Sequence, residues 1–125
     1  MSNGPYVLIE DGSFTLDAEL NHQNSFEFFV NSDLATGKYK DRAILGYNAR
    51  PLSDNASLQI SVFGDSPTTI ETINISENTV RALWEAFPAG KLNAGEDNSV
   101  TFVCTEGEIR ISDVILWYQR DLELD

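Results

Sequence analysis

From Phe87 to Tyr118 the chain spells out two extended runs and the turns that frame them. Pro88 and Gly90 punctuate the entry, and Gly95-Glu96-Asp97-Asn98 leads into Ser99-Val100-Thr101-Phe102-Val103. Glu106-Gly107 then turns the chain back into Ile109 to Tyr118, a run that is mostly apolar on both parities. Period-two alternation marks a strand with one face in the core, whereas a run apolar on both parities marks one covered on both sides. Two such runs joined by a glycine turn belong in the centre of a packed β-sandwich.

The remainder of the chain repeats this pattern. Tyr6 to Ile9 is apolar and ends at Glu10-Asp11-Gly12, and Phe14 to Leu20 alternates with Phe14, Leu16, Ala18 and Leu20 on one face. Ser25 to Val30 and Arg42 to Tyr47 read as strands around a loop at 31–37. Leu58 to Phe63 alternates, stops at Gly64-Asp65-Ser66-Pro67, and Thr68 to Ile75 follows with many β-branched residues, so 57–75 reads as a hairpin. Segment 78–87 fits two templates. Val80, Leu83, Trp84 and Phe87 match a helical face, while Val80, Ala82, Trp84 and Ala86 share a strand face; the β context and Pro88 favour the strand. About eight strands without a long helix predict an all-β chain, an antiparallel β-sandwich forming a single domain over 1–125.

At 125 residues the chain is long enough to bury a core without staples. Twenty acidic against eight basic residues give a net charge of −12, a surface that repels phosphate backbones and anionic lipid. Neither nucleic acid nor membrane is therefore expected as a partner. Met1-Ser2-Asn3-Gly4-Pro5 has no basic and apolar leader pattern, and the single Cys104 excludes an internal disulfide. A cytoplasmic setting is the expectation, with Cys104 buried and inert in a strand and the sequons at Asn55 and Asn74 chance matches. One local departure from the acidic background is segment 38–50. Lys38, Lys40, Arg42 and Arg50 cluster there around a single acid, Asp41, with Tyr39 and Tyr47 among them. It reads either as a contact patch or as a strand edge protected by cations.

The pattern Phe87, Pro88, Gly90, Leu92, Gly95, Asn98, Val100, Phe102, followed by a Gly turn and Asp113-Val114-Ile115-Leu116, resembles the galactose-binding-like jelly rolls. Asn55 to Gly64 is similar to a central strand of that superfamily, and residues 1–50 match only in general pattern. The superfamily includes non-catalytic carbohydrate-binding modules. The resemblance thus implies a jelly-roll sandwich and a binding role, and some of its members hold a structural calcium. By position Asp113 corresponds to one calcium ligand and Glu10 or Asp11 to another. The residues themselves add that Gly95 suits a positive-φ turn and that Asn98 is able to bond the backbone across it. Asp113 falls between Ile109, Ile111, Ile115 and Trp117 on what alternation makes one apolar face, where a carboxylate needs a partner: metal, backbone amide, or an Arg such as Arg110 or Arg120.

Sugar recognition calls for flat aromatic rings beside polar groups. Trp84, Tyr39, Tyr47 and Arg50 are the candidate ligand residues, and Trp117 is assigned to the core. Catalysis finds little support: His22 is the only histidine, and no phosphate loop or Cys/His cluster occurs. The expected function is a non-catalytic binding module for carbohydrate or another small polar ligand, with calcium as an implied cofactor. The alternative is an assembly domain that self-associates or docks a partner through a sheet face or segment 38–50.

Overall fold

The structure, a computed structural model, describes residues 6–32, 34, 42–63, 67–75 and 81–119, with 67–75 as backbone only. Eight strands form among them: β1 (Tyr6–Asp17), β2 (Gln23–Val30), β3 (Arg42–Pro51), β4 (Ala56–Phe63), β5 (Pro67–Ile75), β6 (Arg81–Pro88), β7 (Glu96–Glu106) and β8 (Glu108–Tyr118). They make two four-stranded antiparallel sheets, ordered β1-β8-β3-β6 and β2-β7-β4-β5. Strands consecutive in sequence mostly fall in opposite sheets, which is the jelly-roll winding of two Greek keys. Residues 81–88 are strand, as the β context predicted, and β4 with β5 forms the hairpin read at 57–75.

Alternation decides which side chains meet between the layers. In β4 the residues Ala56, Leu58, Ile60 and Val62 are buried while Ser57, Gln59 and Ser61 face out. In β7 Asn98, Val100, Phe102 and Cys104 point inward. Leu16, Leu45, Ile109, Ile111, Val114 and Leu116 answer them from the other sheet, all almost completely buried. Phe102 is the centre of an aromatic cluster, with ring centroids 5.6 Å from Phe14, 6.4 Å from Phe26 and 5.8 Å from Tyr47. Burying such a ring contributes about 1.5–3 kcal/mol, and each tilted contact about 0.5–1.5 kcal/mol more, so this cluster pins the two layers together.

The turn before β7 is built as its sequence suggests. Gly95 has φ +72°, and buried Asn98 accepts from the Asn93 amide at 2.7 Å while donating to the carbonyls of Asn93 and Glu96. One amide side chain thereby satisfies a turn that leaves few backbone groups to pair with each other. Cys104 is buried and donates to the Glu106 and Gly107 carbonyls, and burial pushes its thiol above the ordinary range.

β8 departs from simple alternation. Ile109 and Ile111 are buried, but so are Val114, Leu116 and Tyr118, on the opposite parity. The switch is made at Asp113, which has φ +53°. Asp tolerates this left-handed conformation better than most residues. It acts as a β-bulge: the β3 pairing steps from Gly46↔Ile115 to Asn48↔Ser112, leaving one extra residue on β8. The expectation of one apolar face holding Ile109, Ile111, Ile115 and Trp117 is therefore corrected. Ile115 and Trp117 lie on the outer face, and exposed Asp113 sits in the bulge rather than among core side chains. Its partner is the Asn48 carboxamide, whose Nδ2 donates to Oδ2 at 3.0 Å.

Candidate functional site on the outer sheet face

Cross-strand register assembles the outer face of the β1-β8-β3-β6 sheet in four rows. Tyr6, Trp117, Ile44 and Ala86 form the first, and Leu8, Ile115, Gly46 and Trp84 the second. Ser13, Ser112, Asn48 and Ala82 form the third, and Thr15, Arg110 and Arg50 the fourth. Two rows are apolar and aromatic, two are polar, and the Asp113 bulge lies between them.

The apolar half is unusually exposed for such side chains. Trp84 is 59% exposed and Tyr6 53%, with Leu8 and Ile44 also open to solvent. Trp84 and Trp117 lie with ring centroids 4.7 Å apart and planes inclined by 38°, a tilted stack in which Trp117 supports the more exposed Trp84 ring. Gly46 makes this packing feasible. A Cβ there would stand 2.6 Å from Trp117 Cζ3 and 3.0 Å from Trp84 Cζ3, so only a residue without a side chain lets both indoles lie on the sheet.

The polar half is set by the bulge. With one N–H committed to Asp113, the half-buried Asn48 carboxamide is held in place and still has an acceptor oxygen and a second N–H. Beside it, Asn48, Ala49, Arg50, Arg110 and Ser112 line a hollow of about 100 Å³. Aromatic rings next to a few fixed hydrogen-bonding groups are what a small polar ligand needs: apolar area for affinity, polar groups for orientation.

Of the residues singled out from sequence, Trp84 and Arg50 stand on this face. Tyr47 does not, and that assignment is corrected: it is 3% exposed on the inner face, where its hydroxyl donates to Glu85 Oε2 at 2.8 Å. Tyr39, Lys38, Lys40 and Arg120 lie outside the described residues. Arg42 and Arg50 stand at opposite ends of β3, about 26 Å apart at 3.3 Å per residue, so those two do not form one patch. Glu10 and Asp11 come near Asp113 across the β1–β8 ladder, where the register skips between Leu8, Glu10 and Ser13. Among the described residues, however, no three carboxylate, His or Cys groups converge to hold a metal. Glu10 Oε1 instead accepts weakly from the Gly12 amide at 3.4 Å, and Asp113 is engaged by Asn48. Calcium needs six to eight oxygens, so backbone carbonyls would have to complete any shell that Glu10, Asp11 and Asp113 begin. His22 is exposed in the loop between β1 and β2.

Trp117, Gly46, Asn48, Ser112 and Arg110 were not anticipated. A signal for Trp117 exists: Ser112-Asp113 interrupts the alternation, and Val114, Leu116 and Tyr118 resume it out of phase. Solved structures share this arrangement of sheets. A CBM4 structure matches with a TM-score of 0.54 and 13% identity, over 91% of this chain and 70% of that one. The shared fold is an antiparallel jelly-roll β-sandwich. The CBM22-1 and GH10 modules of Clostridium thermocellum xylanase 10B, complexed with xylohexaose, match at TM-score 0.56 and 9% identity, over 93% of this chain and 29% of that one. Carbohydrate-binding module CBM36, in complex with calcium and xylotriose, matches at 0.53 and 10%, over 91% and 98%. No protein-family model matches the chain, and no curated protein does. At such identities the likeness establishes the fold.

Proposed function

We propose that this chain is a non-catalytic carbohydrate-binding module whose ligand lies across the outer face of the β1-β8-β3-β6 sheet. The observation that carries this reading is the exposed Trp84, backed by half-buried Trp117 over Gly46, beside an Asn48 fixed by Asp113. The apolar face of a pyranose ring stacks on the indoles, and its hydroxyls reach Asn48 and Ser112. Structural neighbours that bind xylohexaose and xylotriose make xylo-oligosaccharides the first ligands to try. The four rows contain no acidic residue; Asp113 at the bulge is a single carboxylate, and the next outer-face pair, Asp17 and Glu108, lies beyond the arginine row, away from the indoles. Glycoside hydrolysis uses a pair, so the face is suited to holding a glycan rather than cleaving it. The glycan contacts do not depend on calcium: among the described residues, Glu10, Asp11 and Asp113 form no three-carboxylate cluster.

Calorimetric titration of wild type and Trp84→Ala with xylohexaose, cellohexaose and laminarihexaose tests this reading. Binding of at least one oligosaccharide, lost on removing the indole, is the expected result. Absence of binding across a broad glycan array at millimolar concentration would refute it. The exposure of Tyr6, Leu8, Ile44 and Trp84 also favours a second reading, in which this face packs against another copy of the chain. Sedimentation at high protein concentration separates the two. A dimer that Trp84→Ala dissolves, without glycan binding, would support self-association.

A further inference from the structure

We infer that the polar end of this platform takes an acidic substituent, a uronate carboxylate or a sulfate ester, carried on an otherwise neutral glycan and held between Arg50 and Arg110. The inference rests on the glycan reading above and adds to it the class of glycan.

Arg50 and Arg110 are direct cross-strand partners, and both are exposed on the outer face. Like charges placed opposite one another on a sheet repel and destabilise it. A chain with eight basic residues against twenty acidic ones has ample means to neutralise such a pair. Yet no hydrogen bond or ion pair engages either guanidinium among the described residues. Of the carboxylates nearest in the ladder, Asp113 has its Oδ2 bonded to Asn48, Asp17 accepts from the Glu19 and Leu20 amides, and Glu108, two residues before Arg110 on the same face, makes no ion pair with it. The two arginines share the hollow of about 100 Å³ with Asn48, Ala49 and Ser112. That space is roughly three times the ~30 Å³ a water occupies in the liquid, room for a carboxylate or sulfate. Guanidinium forks match the planar or tetrahedral oxygens of such groups, and the Asn48 and Ser112 side chains supply further donors.

The surrounding charge narrows the ligand further. A net charge of −12 repels any polyanion, and every additional acidic group on the ligand adds to that repulsion. Contact with the arginine pair is made only once, and its field is screened beyond about 8 Å at physiological ionic strength. A single acidic group therefore gains the contact with little repulsion, whereas a densely charged polymer gains the same contact against much more. Along β3, Gly46 and Arg50 are four residues apart, about 13 Å, so the acidic group belongs to a different sugar from the one on the indoles.

The test is calorimetric titration with neutral xylo-oligosaccharides, the same oligosaccharides bearing one glucuronate, the same bearing one sulfate ester, and polygalacturonate. Wild type should bind one of the singly charged ligands about tenfold tighter than the neutral one, and polygalacturonate more weakly than that ligand. The preferred arm identifies the substituent as carboxylate or sulfate. In Arg50→Gln/Arg110→Gln the acidic-over-neutral preference should fall to within about twofold, with a melting temperature unchanged or raised as the like-charge contact disappears. Equal affinity for neutral and acidic ligands, with binding that still requires Trp84, would overturn the inference and leave the glycan reading standing. A preference that survives in the double variant would overturn it as well. Failure of every glycan to bind would remove both.

Discussion

Replacing Gly46 by alanine puts a methyl group where the two indoles meet. The new Cβ would lie 2.6 Å from Trp117 Cζ3 and 3.0 and 3.1 Å from Trp84 Cζ3 and Cε3. Carbon atoms rest at about 3.5–4.0 Å, so the Trp117 ring must retreat by about 1 Å and the Trp84 ring by about half that or more. Overpacking in a closed core costs about 1–3 kcal/mol. The cost here sits at the low end, because Trp84 is open to solvent and free to swing away. Alanine also recovers about 0.5–1 kcal/mol relative to glycine within a strand. Separating the rings also forfeits their mutual contact, about 0.5–1.5 kcal/mol, and disturbs the position of Trp84 that a sugar meets. The net loss of stability should therefore be about 0.5–2 kcal/mol, and urea unfolding should show a modestly lowered midpoint. Titration with the best oligosaccharide should show at least a tenfold weaker affinity, about 1.4 kcal/mol. Circular dichroism should lose the exciton signal of closely spaced indoles. A variant that binds within twofold of wild type, with that signal intact, would refute the assignment of the indole pair as the seat of binding.

Tyr47→Phe removes the donor to buried Glu85 and should cost about 1–2 kcal/mol by denaturant titration, with glycan affinity unchanged because the residue faces the core. Asn98→Ala strips three hydrogen bonds from the turn before β7 and should cost about 2–3 kcal/mol. The Leu20 amide, aided by that of Glu19, holds the Asp17 carboxyl below its ordinary value of 3.8. Because the folded-state pKa is depressed, Asp17 stabilises fully above that value and loses its effect as pH falls through the folded pKa. Asp17→Ala should therefore be less stable at neutral pH and show a shallower loss on acidification, measured by thermal melts from pH 7 downward. Melting temperature should be the same in millimolar calcium and in excess EDTA, and a calcium-dependent rise that Asp113→Asn abolishes would contradict the reading of Asp113 as a bulge residue without metal.

Where alternation is unbroken, the sequence carried the fold. The period-two runs of β4 and β7 placed Leu58, Ile60, Val100 and Phe102 inside, and Gly95 with Asn98 marked their own turn. Segment 78–87 was ambiguous because Trp84 and Phe87 fit two periods, and the pairing of β6 with β3 resolved its described part, from Arg81 onward. Tyr47 was a ligand candidate on residue type alone, although Ala43, Leu45, Tyr47 and Ala49 share a parity that points them all inward. The site itself was less legible. Gly46 matters because Ile115 and Trp84 flank it from neighbouring strands, and the pairing of Arg50 with Arg110 brings together residues far apart in the chain. Such register is a property of three strands at once, and no window along one of them contains it.

The same local device explains both the core and the candidate site. Had β8 kept strict alternation beyond Ile111, Ile115 and Trp117 would have turned inward and Val114, Leu116 and Tyr118 outward. An indole would then compete for core volume already filled by Leu45 and Phe102, and the outer face would lose half of its aromatic pair. One residue in the left-handed region reverses this, and both neighbouring strands shift register at the same level, β1 between Leu8 and Ser13 and β3 between Gly46 and Asn48. Such a concerted irregularity disrupts ladder pairing across three strands, and the Asp113–Asn48 bond provides local compensation. Its position divides the face into aromatic rows on one side and polar rows on the other. A regular β8 would have put Val114, Leu116 and Tyr118 on this face in place of Ile115 and Trp117, so what the bulge supplies is the indole partner of Trp84 and the Asp113 carboxylate that holds Asn48.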